Sequence, residues 1–300
     1  MSWLVGGFLA WASGGPLLAH EGPEHEIEEL SELIEARGDS AGLLIERAIE
    51  YAVLGRNAEA IQDLKHAIQL DPGSIHAHRE LGRLQFVDGR ADEAVVTVTR
   101  ALRLRIEEPV DRGGLLVLRA EVLKSQGKLR SALSDCEAAL RLHRGNPEWY
   151  LLRSDLQRRL KMTRKRIAGI EEGFRETGAG ILTIERVDAL LDAGKHRSAL
   201  KAIEPELESV RLRAGWLVRR GRARLGLGDK VGGEDDLRTA LKEIDTRLDR
   251  VRPDPSLLLD QATAWMLLGD RAAANRAYEL ARDQGGDPDT AERIRGLIAP

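Results

Sequence analysis

The 300-residue sequence has few aromatic residues, one cysteine and little net charge, and each scarcity narrows the possible classes of protein. Aromatic residues make up 4% of the chain, so the core must consist mainly of Leu, Ile, Val and Ala. That composition suits close-packed helices better than a β-sandwich. The single cysteine, Cys136, excludes an intramolecular disulfide framework and is expected to be a small core hydrophobe. A net charge of −3 argues against a dedicated nucleic-acid binder, which would normally be basic.

Long apolar runs are also missing. The run Trp3–Ala12 is too short to span a bilayer, which needs about 20 apolar residues. It has the length of a signal-peptide core, and the helix-breaking sequence Gly14-Gly15-Pro16 follows it. We therefore expect a signal peptide over residues 1–19, cleavage after Ala19 or near Ala12, and export to the periplasm. An apolar tail or an uncleaved anchor is the alternative.

Residues 20–39 are dominated by glutamates, with apolar residues at helical spacing among them. The pattern predicts an amphipathic helix that begins after Pro23 and ends at Gly38. Its narrow apolar stripe would pack on the element that follows, and its acidic face would remain in water. We interpret this segment as an acidic N-terminal capping helix, which a repeat array needs to cover its open end.

The rest of the chain is a repeated two-helix unit, clearest in Ala41–Pro72. A position late in each second helix, occupied by a small residue in all units but the fifth, where it is Glu206, recurs at intervals of 34, 38, 34, 33, 34 and 41 residues. Two further registers of small residues, in the first and second helices, follow the same intervals. The three registers begin at Ala48, Ala60 and Ala67. Small residues at these positions indicate helices whose backbones pack closely.

Departures from the repeat predict local irregularities. The 38-residue interval is expected to contain a longer loop over Glu107–Gly113. Arg166 replaces a small residue, so the fourth pair should splay or shift. Pro205 should kink the second helix of the fifth unit. A long helix over Gly233–Arg250 should end before Pro253 and Pro255.

This pattern resembles the tetratricopeptide repeat family over about Ala41–Gly286, most closely in the three copies that begin at Ala41, Ile75 and Gly113. The resemblance implies an all-α, right-handed superhelical solenoid of stacked antiparallel helix pairs. We expect about seven pairs over residues 40–288 and a C-terminal capping helix over residues 289–300. The signal-like start and the segment AHEGPEH also resemble a group of exported bacterial repeat proteins of unsettled role.

The family resemblance implies protein or peptide binding on a concave groove lined by the first helix of each pair, without catalysis. The family's groove positions fall here on a mixed set that is charged in its middle: Arg79, Arg83, Phe86, Glu121, Lys124, Asp155, Arg158, Arg159, Asp188 and Arg222. Arg79 and Arg83 lie one helical turn apart and could converge on one carboxylate of an acidic peptide. In the alternative, they are solvated or paired with Glu121 and Asp155.

The densest basic run comprises Arg158, Arg159, Lys161, Arg164, Lys165 and Arg166. It could contact an anionic membrane surface or an acidic partner, or it could be a solvated turn. The acidic residues 21–35 could instead pack against it within one chain or between two. The oligomeric state does not follow from the sequence.

Motifs for metal or catalysis fail on spacing. His20 and His25 are five residues apart and flank Pro23, so one helix face cannot carry both as zinc ligands. Cleavage after Ala19 would leave an N-terminal His20 that could chelate copper or zinc, which is a separate hypothesis. His76 and His78 point to different faces of a helix. The glycines between Gly226 and Gly233 have the wrong spacing for a nucleotide loop, and no cofactor is expected.

The sequence therefore favours a non-enzymatic interaction scaffold of the cell envelope with an unidentified protein or peptide partner. A structural or self-assembling repeat protein without a groove ligand is the alternative.

Overall fold

The computed structural model describes residues 22–249, 252–286 and Ile294. Over this part of the chain it contains fifteen α-helices and no β-strand, which confirms the all-α prediction. The predicted signal peptide (1–19) lies outside the described residues. So does the predicted C-terminal capping helix (289–300), apart from Ile294, which is buried in a cluster with Leu258 and Ala281.

Residues 22–178 form one compact unit of nine helices. They are α1 (Gly22–Arg37), α2 (Ala41–Val53), α3 (Asn57–Leu70), α4 (Ile75–Val87), α5 (Ala91–Ala101), α6 (Pro109–Ser125), α7 (Leu129–Leu142), α8 (Pro147–Arg159) and α9 (Thr163–Thr177). The acidic helix α1 packs on α2 through Ile27, Leu30 and Ile34. The remaining helices form four antiparallel pairs, and each pair packs on the next.

The rest of the described chain, from residue 179, forms a second compact unit of three pairs. Its helices are α10 (Ile181–Asp192), α11 (His196–Ser209), α12 (Ala214–Gly226), α13 (Lys230–Arg247), α14 (Pro255–Leu267) and α15 (Arg271–Asp283). With the four pairs of the first unit this gives the seven pairs expected from the repeats.

The small residues of the repeat registers lie where the helices of a pair meet. Ala48 on α2 and Ala60 and Ala67 on α3 are fully buried. In the second pair, a Cβ atom at Gly82 would lie 2.6 Å from Cγ2 of Val98 on α5. Side chains larger than these would force the helices apart, so the registers mark the contact line of each pair.

An arginine–aspartate pair ties the two helices together in three of the repeats. The arginine stands directly before the small residue of the first helix, and the aspartate lies 16 positions later on the second helix. Each pair is bidentate at 2.7–2.9 Å: Arg47 with Asp63, Arg119 with Asp135, and Arg220 with Asp236. The hydrogen bonds to aspartate raise the pKa of each of these arginines above its ordinary value. The guanidinium groups therefore stay charged and act as structural ties.

The prediction of a loop over Glu107–Gly113 is wrong from Pro109 onward. The structure begins α6 at Pro109, so the extra residues lengthen the helix. Proline favours the first turn of a helix, where its missing N–H has no intrahelical partner to lose and its φ is already helical. Pro255 begins α14 in the same way, whereas the long helix before it already ends at Arg247.

The two irregular pairs keep their helices. Arg166 is buried between α8 and α9, and its Nε donates to Oγ of Ser154 at 3.0 Å. The close contact of this pair is made by Gly173, where a Cβ would lie 2.5 Å from Cγ of Tyr150. In the fifth pair, α11 continues through Pro205 to Ser209. The kink expected there stays a prediction.

The turn within each pair places one residue in the left-handed region of φ. Six turns use glycine there: Gly55, Gly89, Gly127, Gly194, Gly228 and Gly269. The turn between α8 and α9 uses Lys161, with a φ of 58°. A side chain in this conformation crowds its own backbone, so the fourth turn is strained.

We predict that Lys161→Gly raises the free energy of unfolding by about 1 kcal/mol. The strain energy that glycine relieves in the folded state exceeds the stability that is lost because glycine gives the unfolded chain more conformational entropy. Lys165→Gly is the matched control. It removes the same charge from α9, where glycine should lower stability by about 0.5–1 kcal/mol. Urea denaturation followed by circular dichroism measures both changes. A Lys161→Gly protein less stable than the parent would contradict the strain.

Candidate interaction surface

The predicted groove residues of the first unit lie on α4, α6 and α8, the first helices of its second, third and fourth pairs. We call this surface the first-helix face and define it by Arg79, Arg83, Phe86, Glu121, Lys124, Asp155, Arg158 and Arg159. Each of these residues is half-buried. Part of each side chain is therefore covered by the fold and part of it reaches solvent.

Two arginines of this face converge on a carboxylate of their own helix. Nε of Arg83 lies 2.8 Å from Oε2 of Glu80, and Nε of Arg79 lies 3.3 Å from Oε1. His76 Nε2 approaches the same carboxylate at 4.0 Å. The prediction paired these arginines with Glu121 and Asp155 or left them solvated, and it missed Glu80. The spacing Glu80–Arg83 was available as a signal, since residues three apart on a helix are neighbours.

A second cluster surrounds Asp155. Arg158 and Arg159 bond to it from the same helix, the latter through Nε at 2.9 Å. Lys124 reaches it from α6 with an Nζ–Oδ2 distance of 3.6 Å. Three predicted site residues on α8 and one on α6 are thus brought together. The side chain of Asp155 is only 11% exposed, so it is nearly covered by its cations.

Cations outnumber carboxylates around these two clusters. Arg79, Arg83, Lys124, Arg158 and Arg159 contribute five positive charges against three negative charges from Glu80, Glu121 and Asp155, an excess of two (5 − 3). The whole chain has a net charge of −3. The first-helix face is therefore electropositive on a slightly acidic protein, which favours an anionic ligand.

Apolar side chains lie at one end of the same face. Val53 at the end of α2 is 57% exposed, and Val87 at the end of α4 is 41% exposed. Phe86 beside Val87 is half-buried. Apolar anchors beside charged residues are the usual make-up of a protein interface.

The predicted site residue Asp188 has a structural role, which corrects the prediction that it lines a groove. It is 4% exposed and receives both ends of the Arg219 guanidinium at 3.0 and 3.1 Å. Arg219 also lies 3.7 Å from Asp260, so one arginine on α12 joins α10 and α14. Sequence reasoning missed Arg219 because its partners are 31 and 41 residues away. Arg222, the other predicted site residue of this unit, pairs with Asp192 at 2.9 Å.

The basic run of the fourth turn is smaller than its sequence suggests. Arg166 is buried, and Arg158 and Arg159 are bonded to Asp155. Lys161, Arg164 and Lys165 remain exposed.

Within residues 22–249 and 252–286, reactive groups are not gathered into a chemical site. Cys136 is fully buried, and burial raises the pKa of its thiol to about 12, so it stays protonated and unreactive at neutral pH. Its Sγ lies 3.2 Å from the carbonyl oxygen of Trp149. His78 is buried with Nδ1 2.9 Å from the carbonyl oxygen of Ser74, whereas His76 is exposed, as their spacing predicted. Over the described residues, no three His, Cys, Asp or Glu side chains are placed to hold a metal ion. His20 lies outside them.

None of the described helices combines the length and the apolar composition that crossing a bilayer would require.

Comparison with known proteins identifies the repeat. Family models described as tetratricopeptide repeat match residues 54–105 and 184–247. A curated relative, the human Protein SGT1 homolog, is 29% identical over 97 residues, which are 32% of this chain. The chain spans 27% of the length of that relative.

Solved structures share the fold at low sequence identity. A tetratricopeptide repeat protein from Parabacteroides merdae superposes with a TM-score of 0.62 at 15% identity, covering 91% of this chain and 99% of that one. The C-terminal part of a TPR repeat-containing protein from Cytophaga hutchinsonii gives 0.59 at 12% identity, covering 85% of this chain and 100% of that one. These likenesses show the repeat fold.

The structural role of Asp188 is testable against an exposed charge of the same unit. We predict that Asp188→Asn lowers the free energy of unfolding by about 1–3 kcal/mol, because it leaves Arg219 without its main charged partner. The control Arg238→Gln removes an arginine that is 62% exposed and should change stability by no more than about 0.5 kcal/mol. Urea denaturation of both proteins measures these changes in the free energy of unfolding. An Asp188→Asn protein as stable as the control would contradict a structural role for Asp188.

Proposed function

The chain is a tetratricopeptide repeat protein, and on that premise we propose that it is a scaffold that binds an acidic protein or peptide segment on its first-helix face. Repeats of this family are protein-interaction modules, and the coarse assignment follows from the family. The finer assignment is supported by one observation, the excess of cations around Glu80 and Asp155.

An acidic segment would meet cations that are already ordered. Because Glu80 and Asp155 hold the arginines in fixed positions, little side-chain entropy is lost when a ligand carboxylate joins them. The ligand carboxylate would share the guanidinium groups with the resident carboxylate. This is possible because each guanidinium has more N–H donors than the resident carboxylate uses. The exposed Val53 and Val87 would receive apolar side chains of the same segment.

We further propose that the scaffold acts in the cell envelope. The support for this location is the composition of residues 1–19, an apolar run of signal-peptide length followed by Gly14-Gly15-Pro16.

A second candidate is a structural repeat protein without a groove ligand. The internal pairing of Arg79 and Arg83 with Glu80 favours it, since these charges are already satisfied. The two candidates predict different results for partner capture when the charge of the first-helix face is reversed.

Affinity capture from a cell-envelope extract of the source organism tests the proposal with a triple variant, Arg79→Glu, Arg83→Glu and Arg158→Glu. We expect the variant to capture at least about tenfold less of the partner than the parent protein does, because three attractive charges become repulsive. The matched control reverses three exposed cations on α3, α5 and the loop after α5, namely Lys65→Glu, Arg100→Glu and Arg103→Glu.

The control makes the same change in net charge and should keep the partner. Circular dichroism of both variants verifies that the helices are retained. Capture of the same partner, in equal amount, by the face variant and the control would contradict binding on the first-helix face. It would favour the structural candidate.

A further inference from the structure

The exposed cations left over from the basic run belong to a larger cluster that spans two turns. Lys128 lies in the turn of the third pair and Arg130 at the start of its second helix, α7. In the fourth pair, Lys161 lies in the turn, and Arg164 and Lys165 lie at the start of the second helix, α9. We call these five residues the turn patch. All five are exposed, and their side chains have no hydrogen-bond or ion-pair partner among the residues that the structure describes.

The first two turns of the same unit are different. Nε of Arg56 lies 2.9 Å from Oε1 of Glu59, and Nε of Arg90 lies 2.8 Å from Oδ2 of Asp88. Residues 126–134 and 158–168 contain no acidic residue at all. The positive charge of the third and fourth turns is therefore not neutralised by acidic residues of the same segments.

The stacking of the pairs places these two turns side by side. Between the second and third pairs, Nε2 of Gln126 bonds to Oδ1 of Asp92 at 2.9 Å, which ties one turn to the start of the neighbouring second helix. In the repeat register, Arg130 corresponds to Asp92 and Leu160 corresponds to Gln126. The helices α7 and α8 pack together as α5 and α6 do. This correspondence would place Arg130 beside the turn that carries Lys161, which would join the five cations in one patch.

Two acidic residues lie near one side of the patch. Lys128 lines a shallow cleft together with Asp92 and Glu93, and Asp92 is already bonded to Gln126. Lys161, Arg164 and Lys165 lie on the other side of the patch.

We propose that the turn patch docks the protein on an anionic lipid bilayer through lipid phosphates. The patch presents point charges on flexible side chains at the tips of helices, and none of the residues between them in either turn is an exposed large hydrophobic residue. A bilayer suits such a surface, because each cation near an anionic membrane strengthens binding by about fivefold. An acidic peptide suits it less well, since exposed ion pairs contribute little and a peptide also needs apolar anchors.

This inference does not rest on ligand binding by the first-helix face, because the two surfaces share no residue. Arg158 and Arg159 belong to the face and are bonded to Asp155. Either surface can therefore fail its test while the other passes.

Co-sedimentation with large vesicles tests the proposal on the full chain. Vesicles of phosphatidylcholine with about one-third phosphatidylglycerol provide an anionic surface, and pure phosphatidylcholine provides a neutral one. We expect binding to the anionic vesicles alone, and its loss at about 1 M salt, where the screening length falls to about 3 Å.

The triple variant Lys161→Gln, Arg164→Gln and Lys165→Gln should bind the anionic vesicles about a hundredfold more weakly, which is the product of three fivefold factors. The matched control Lys65→Gln, Arg100→Gln and Arg103→Gln makes the same change in net charge and should bind within about twofold of the parent. Circular dichroism verifies that both variants keep their helices.

Three results would overturn the proposal. The parent protein could fail to bind anionic vesicles, or the patch variant could bind as the parent does, or both variants could weaken equally. A labelled poly-glutamate peptide serves as the competing probe. Patch-dependent binding of this peptide without binding to vesicles would assign the patch to an acidic protein.

Discussion

The close approach of the two helix backbones within each pair is the constraint on which the rest of the structure depends. In the sixth pair, a Cβ atom at Gly221 would lie 2.9 Å from the carbonyl oxygen of Gly233, and one at Gly233 would lie 3.0 Å from the carbonyl oxygen of Gly221. Alanines hold the same positions in the first pair and are fully buried. Helices this close leave no room for large side chains between them, so the larger apolar residues fill the space on either side of the contact line.

The same closeness governs where the charges go. A first helix held against its second helix brings Arg47, Arg119 and Arg220 within reach of aspartates 16 residues later. Many of the charges on the first-helix face are likewise paired inside the fold. Charge count in the sequence therefore overstates the charge that is available to a partner, and the buried Arg166 and Asp188 are the clearest cases. What remains is the positive excess around Glu80 and Asp155 and the unneutralised turn patch.

The architecture could be predicted from the sequence because close packing of the helices requires small residues at regularly spaced positions. The registers that begin at Ala48, Ala60 and Ala67 located all seven pairs. Individual side-chain partners could not be predicted in the same way. Asp188 was assigned to a surface by its repeat position, yet Arg219 from the next first helix covers it. Such contacts depend on how neighbouring pairs stack, and the sequence of a single repeat does not show how they stack.

Local backbone chemistry explains the other differences. A proline in a long interval predicted a loop, but Pro109 begins a helix because proline is favoured in the first helical turn. The repeat predicted a turn at Lys161 without revealing its left-handed φ, which becomes visible only when the six glycines at the same position are compared. Candidate surface residues were found by position. Their pairing, and hence their availability to a ligand, required the structure.

The most direct test of the account compares one substitution at two helical glycines. Gly221→Ala places a methyl group against the backbone of the partner helix, and Gly114→Ala places one where no atom lies within 4 Å. The account predicts that Gly114→Ala raises the free energy of unfolding by about 0.5–1 kcal/mol, as alanine does in an open helix. It predicts that Gly221→Ala lowers it by about 1–3 kcal/mol, because the pair must separate. Equal stabilisation by both substitutions, measured by urea denaturation, would contradict the claim that close helix approach determines this fold.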